Sequence, residues 1–395
     1  MTVKVRALGV VALLGATMWL AGCGHYVCGA GFGDTTCASN SSSQNGSSSQ
    51  RAFVYFMDDH AGQMAAVALD LNNSGTFAPI PHWVAPPTLV LKGYDGGMVI
   101  VNKKYLYMPY SDGSLHGYTI DATTGALSVS STTSLNLPSL VSSPIAADPS
   151  GKFLFVGTAS GVYALTVNST SGAVTVVNGS PFPSGIGQPV QMSTDGAGKY
   201  LYAMDGTNIS EYSYDSTSGV LTSVGAVSSP MMMLASEPTG KYMLGITESN
   251  GAQSATLDNN VYVFTIGTSG ALSAQPTVVN TPETPSYIVV SPTGTLVFTF
   301  NLDDLSTSAT QAEPIVSFSF NASTGALTSP MPSTTFLSGL GKFDQTGQYI
   351  FAEGSETNQP AAGLLAISVS STGGLSSGLP PTGSAGVTFA VTDEP

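Results

Sequence analysis

The chain has 395 residues, of which only 9% are charged where about 25% is usual, and its formal net charge is −14. No basic run offsets the acids, which excludes a protein built to hold nucleic acid or other polyphosphate. With 45 glycines and 24 prolines, the composition is that of a turn-rich, all-β, exported chain.

Residues 1–22 read as a targeting segment: Lys4 and Arg6 make a positive start, and Ala7 to Leu20 is an apolar run too short for an ordinary membrane span. It ends in Leu20-Ala21-Gly22-Cys23, which resembles the bacterial lipobox. The resemblance implies that Cys23 is acylated, becomes the new N-terminus and anchors the chain to a membrane; the alternative is a secreted chain with an incidental cysteine. Stable anchoring takes more than one acyl chain, as such a modified cysteine provides. Gly24 in place of Asp after the cysteine implies, by the same resemblance, the outer membrane, facing either the periplasm or the cell surface. The two remaining cysteines, Cys28 and Cys37, are candidates for a disulfide in an oxidising compartment, and their spacing fits neither a redox nor a zinc motif. Residues 38–50 are a Ser/Asn/Gln/Gly linker, so residues 23–50 form a leash whose linker part reaches on the order of 20 Å.

From residue 51 onward two phrases alternate. One is a hairpin turn, clearest in YTIDATTGALS at Tyr118–Ser128, where an Asp or Asn starts the reversal and a Gly supplies the positive φ. It recurs with turn glycines assigned at Gly75, Gly125, Gly172, Gly219, Gly270, Gly325 and Gly374, at steps of 47 to 55 residues. The other is DPSGKFLFV at Asp148–Val156, with full or reduced copies ahead of each hairpin. Its aromatics stand two apart (Phe53/Tyr55, Tyr105/Tyr107, Phe153/Phe155, Tyr200/Tyr202, Tyr349/Phe351) and so share one face of a strand. Inter-blade packing is their expected role.

Seven repeats of this period, each with four short strands, predict an all-β, seven-bladed β-propeller over residues 51–395. Strand A precedes the DPSGK-like turn, B carries the aromatics, and C and D flank the TTGAL-like turn. The first repeat starts at strand B, Arg51–Met57, without a strand A. The C-terminal Val387–Asp393 reads as a strand A with nothing after it. The last strand is therefore expected to complete the first blade and close the ring.

These two phrases, over essentially all of residues 51–395, resemble the seven-bladed lactonase family, whose members include 6-phosphogluconolactonase and muconate-cyclising enzymes. The resemblance implies the propeller fold and, as an activity, lactone hydrolysis. The shared phrases are turn and packing chemistry, so they speak for the fold more than for the activity.

Alternating strand direction puts the A–B and C–D turns at one end, the bottom, and the B–C and D–A loops at the other, the top. Thirteen of the 24 acids fall in top loops against one base, Lys92, whereas Arg51, Lys103, Lys104, Lys152, Lys199 and Lys241 fall at the bottom. The acidic top has two readings, scattered loop carboxylates that keep an exported chain soluble, or a face that takes a cation such as Ca²⁺ or a basic partner, with Asp58, Asp59, His82, Trp83, Asp205, Asp303, Asp304 and Glu353 as candidate ligand-binding residues. No Asp-x-Asp-x-Asp calcium loop is present. For lactone opening, His60 or His116 working with Asp112 is the candidate base. A phosphosugar would call for Arg or Lys clamps, and the only Arg beyond the leader, Arg51, is at the bottom. Asp148, Asp195, Glu237, Asp344 and Asp393 recur at the end of strand A and read as structural. Two function classes stay open: an anchored, monomeric module binding a protein or glycan, and a hydrolase of an unphosphorylated sugar lactone.

Overall fold

The computed structural model describes residues 51–58, 63–71, 77–81, 83–84, 97–110, 113–134, 144–249, 252–253, 258–282, 284–302, 312–356, 359–376 and 386–393. Cys23, Cys28 and Cys37, with the leader and leash, lie outside them.

The fold is a seven-bladed β-propeller of four-stranded antiparallel blades. Blade 1 pairs strand A (Gly386–Asp393) with B (Arg51–Asp58), C (Gln63–Asp70) and D (Phe77–Pro79). The C-terminal strand thus completes the first blade, in a register running from Ala52↔Asp393 to Phe56↔Phe389 before a bulge. Blade 2 is Val99–Val101, Tyr105–Pro109, Ser114–Ile120 and Leu127–Ser134; blade 3 is Ile145–Ala147, Phe153–Thr158, Gly161–Val167 and Val174–Val176. Blade 4 comprises Gln191–Thr194, Tyr200–Met204, Asn208–Tyr214 and Leu221–Ser228. Blade 5 comprises Met233–Ser236, Tyr242–Ile246, Asn260–Thr265 and Thr277–Asn280, with a two-residue-per-strand hairpin at Glu248–Ser249 and Ala252–Gln253 between B and C. Blade 6 starts with Pro285–Val290, Leu296–Leu302 and Ala312–Asn321. One continuous strand, Ala326–Phe343, then serves as D of blade 6 and A of blade 7, which adds Tyr349–Glu356, Gln359–Val369 and Leu375–Ser376.

Each strand A touches the strand A of both neighbouring blades, so these strands form the inner ring around the axis. Side chains tie the ring together, as where Thr194 Oγ1 donates to the Ala147 carbonyl at 2.9 Å. The acids at the ends of strand A are buried caps for the A–B turns. Asp195 Oδ1 accepts from the Lys199 and Tyr200 amides at 2.7 and 2.6 Å, and Asp148 and Asp344 repeat the pattern on Phe153 and Tyr349. The longer Glu237 reaches the amides of Thr239, Lys241 and Tyr242.

The core lies between blades, and there the two repeated phrases meet. In blades 1 to 5 the first aromatic of strand B lies against the turn glycine of the next blade. A Cβ built on Gly125 would stand 2.5 Å from Phe53, on Gly172 2.5 Å from Tyr105, on Gly219 2.6 Å from Phe153 and on Gly270 2.3 Å from Tyr200. Where the second aromatic is Tyr, its hydroxyl donates to that same glycine's carbonyl: Tyr55 to Gly125 at 2.6 Å, Tyr107 to Gly172 at 2.7 Å, Tyr202 to Gly270 at 2.8 Å. The glycines must also adopt φ between 70° and 96°, so nothing with a Cβ suits both demands. In blade 7 the turn is one residue shorter than in blade 2. The positive-φ residue is Gly373, bonded back to Ser370, and not the adjacent Gly374 that the repeat spacing selects.

Candidate functional site

The top end is assembled from the last residues of strand B, the first of strand C and the D–A loops. Its best described corner lies between blades 1 and 2. Strand C of blade 2 presents Ser114, His116 and Tyr118 at alternate positions. The His116 ring sits 4.1 Å from that of Tyr110, and its Nε2 lies 3.0 Å from Ser114 Oγ. Tyr118 stacks on the same ring at 6.4 Å, and its hydroxyl is 3.0 Å from that of Tyr110. Burial raises the Tyr118 pKa, against the lowering pull of its bond to Tyr110. A hydroxyl 3.0 Å from an imidazole has the spacing of a nucleophile and its base, but Ser114 is only 7% exposed and offers little of that oxygen to a substrate. His116 also stands on the third strand from the axis, over the seam between blades.

Trp83 belongs to the core of the same seam. It is 7% exposed, lies 6.1 Å from Tyr55, and its Nε1 has no hydrogen-bond partner among the described residues. The candidates His60, His82, Asp59, Asp112, Asp303 and Asp304 lie outside the described residues. Asp58 ends strand B of blade 1 opposite Gln63, and Glu353 lies in strand B of blade 7 between Leu340 and Leu364.

The Asp205 carboxylate is engaged by its own loops. Oδ1 accepts from the amides of Thr207 and Asn208 at 2.9 and 2.8 Å, and Oδ2 from Gly187 at 2.9 Å. Partial desolvation pulls its pKa up, but these amides outweigh it and hold the carboxyl below its ordinary range. Tyr212 and Ser210 fasten the same D–A loop from below, by bonds to the carbonyls of Pro183 and Ser184. Burial pushes the Tyr212 hydroxyl up to about 12.

The sequence reading missed the tyrosines around His116, although their two-residue spacing on strand C is a visible signal. It also missed Tyr262, whose hydroxyl donates to Asp258 in the blade 5 loop; burial comes first among the causes that raise the Tyr262 pKa, ahead of Asp258 itself. Among the described residues no three His, Cys, Asp or Glu side chains come together as a metal site.

The cations are segregated in the fold, whereas acids lie at both ends, with Asp121, Asp148, Asp195, Asp215, Glu237 and Asp344 among those at the bottom. Every described Lys and Arg lies at the bottom: Arg51 at the start of strand B, Lys103, Lys104, Lys152, Lys199 and Lys241 in A–B turns, and Lys342 at the end of strand A in blade 7. Asp58, Asp205, Glu248, Asp258, Glu313, Glu353 and Glu356 occupy top loops or the upper parts of strands.

No protein-family model and no curated protein matches the chain. Solved structures do. A protein assigned as a 6-phosphogluconolactonase from Bacteroides fragilis superposes with a TM-score of 0.62 at 14% identity, over 87% of this chain and 98% of its own. The periplasmic gluconolactonase of Pseudomonas aeruginosa gives 0.61 at 14% identity, over 87% and 99%. The fold is that of the lactonase-like propellers. A Lactobacillus plantarum protein of the same shape gives 0.60 at 16% identity, over 87% and 99%. At these identities the lactonase-like propellers share a scaffold with this chain, and activity must be argued from its own residues.

Proposed function

We propose that this propeller is a binding module of the cell envelope, engaging a protein or glycan through its acidic top. The placement of the cations carries the reading: all described Lys and Arg sit at the bottom, so the top offers carboxylates and tyrosine hydroxyls but no described Lys or Arg to hold a phosphate or oxyanion. Acylated Cys23 and the leash would join the chain to the outer membrane. Arg51 begins strand B at the bottom, so the leash enters there and directs the acidic top away from the lipid. Replacing Asp58, Asp59, Asp303 and Asp304 together by their amides should weaken binding of envelope material to the mature chain and flatten its dependence on salt. Unchanged binding and salt dependence overturn the reading.

A second reading rests on the His116 corner and on the gluconolactonase among the structural neighbours. In it the protein opens an unphosphorylated sugar lactone, with His116 or His60 as the base and Asp112 orienting it, and Ca²⁺ as a candidate ligand of the top.

A further inference from the structure

From blade 3 to blade 7 the A–B turns follow one another along the bottom, each turn glycine lying beside the turn of the preceding blade. The approach of a built Cβ measures each seam: 2.2 Å at Gly151 to Asn102, 2.5 Å at Gly240 to Ala197, 2.9 Å at Gly294 to Pro238 and 3.2 Å at Gly347 to Pro292. At Gly198, between blades 3 and 4, the nearest atoms are the Tyr214 hydroxyl at 3.5 Å and Pro149 at 3.6 Å. This widest of the five seams opens into a cavity of about 370 Å³. That volume is at the small end of ligand sites, which run from roughly 300 Å³ upward.

Tyr214 marks the cavity as more than a packing fault. It ends strand C, where blades 2, 3, 5, 6 and 7 carry Ile120, Val167, Ile266, Phe320 and Val369. Its ring packs on Phe155 and Phe153 at 5.1 and 6.2 Å, a task Phe would do as well. Yet it brings a hydroxyl that is buried in a residue 7% exposed and has no partner among the described residues. Leaving such a group unpaired is unfavourable, and a bound partner removes that penalty.

The remaining lining sets the ligand class. Exposed Lys152 and Ser216 supply donors at the mouth, and Pro149 an apolar wall. Asp148, whose carboxylate is bonded to the Ser150 and Phe153 amides, adds one negative charge to a lining that holds one ammonium. Such a balanced pair disfavours an anion and suits hydroxyl groups, which accept from Lys152 and exchange a hydrogen bond with Tyr214. We propose that the bottom seam between blades 3 and 4 is a binding pocket for a neutral saccharide unit.

Saturation-transfer NMR and calorimetry on the mature chain test this, with D-glucose, D-galactose and N-acetylglucosamine as probes and sodium gluconate as the anionic comparison. At least one neutral sugar should bind in preference to gluconate. Tyr214→Phe and Lys152→Met should each weaken that sugar by about tenfold, the size of one hydrogen bond. Phe320 shows that Phe suits this strand position, so Tyr214→Phe should keep or raise the melting temperature while it loses ligand. No binding of the three sugars, binding undiminished in Tyr214→Phe, or preference for gluconate overturns the proposal. None of these outcomes bears on the top face.

Discussion

Gly172→Ala tests how the blades are locked together, with Gly185→Ala as its internal reference. Both glycines have almost the same left-handed backbone, φ +70° and +68°, so each substitution carries the same conformational cost of about 1–2 kcal/mol. Their surroundings differ. A Cβ at Gly185 meets nothing within 4 Å, whereas at Gly172 it stands 2.5 Å from two atoms of the Tyr105 ring. That ring is 1% exposed and has to shift, giving up part of the roughly 1.5–3 kcal/mol its burial contributes. The shift also strains the Tyr107 hydroxyl bond to the Gly172 carbonyl, which contributes about 1 kcal/mol. Gly172→Ala should therefore be less stable than Gly185→Ala by about 2–3 kcal/mol. Denaturant midpoints measured in parallel with circular dichroism and tyrosine fluorescence provide the comparison. Equal midpoints would refute the claim that aromatic-on-glycine contacts hold adjacent blades.

Removing residues 386–395 should abolish cooperative unfolding, because it strips strand A from blade 1 and exposes the inner edge of Arg51–Asp58; a truncated chain with the parent transition contradicts the closure. Glu211, 4% exposed, keeps a carboxyl whose pKa is raised by burial against the opposing bond from the Leu272 amide. A raised carboxyl favours the folded state only at low pH and loses that contribution as pH rises through its folded value. Glu211→Gln should accordingly stabilise the protein at pH 7 and reduce the stability lost between acid and neutral pH, as followed by melting temperature across pH. Asp205 has the opposite sign: its lowered pKa stabilises above the ordinary carboxylate range and is lost as pH falls through the folded value. Asp205→Ala should cost about 1–3 kcal/mol and speed amide exchange at Gly187, Thr207 and Asn208.

The scaffold was legible because its instructions are local and repeated. An Asp or Asn four residues before a Gly marks the turn in blades 2, 3, 4 and 6, and variants of that turn in the other three complete the count of blades. Closure was legible from the two ends, since a chain beginning at strand B and ending on a lone strand A has one way to satisfy both edges. The one-residue error at Gly374 has a local cause: the blade 7 turn is a residue shorter, and a Gly-Gly pair hides which one reverses the chain. The site was less legible, because side chains in top loops take their meaning from neighbours far apart in sequence. Asp205 looked like a free loop acid until Gly187, 18 residues earlier, was seen to bind it. Tyr214 looked like any strand tyrosine until its hydroxyl proved to lie in a seam that the other blades close.

The most direct test of the central claim is a lactone-hydrolysis assay on the mature chain, with glucono-δ-lactone and related unphosphorylated lactones, with and without Ca²⁺. A binding module should give no turnover above the spontaneous rate in either condition. Turnover that is lost in His116→Ala or His60→Ala would contradict the account and establish the lactonase reading in its place.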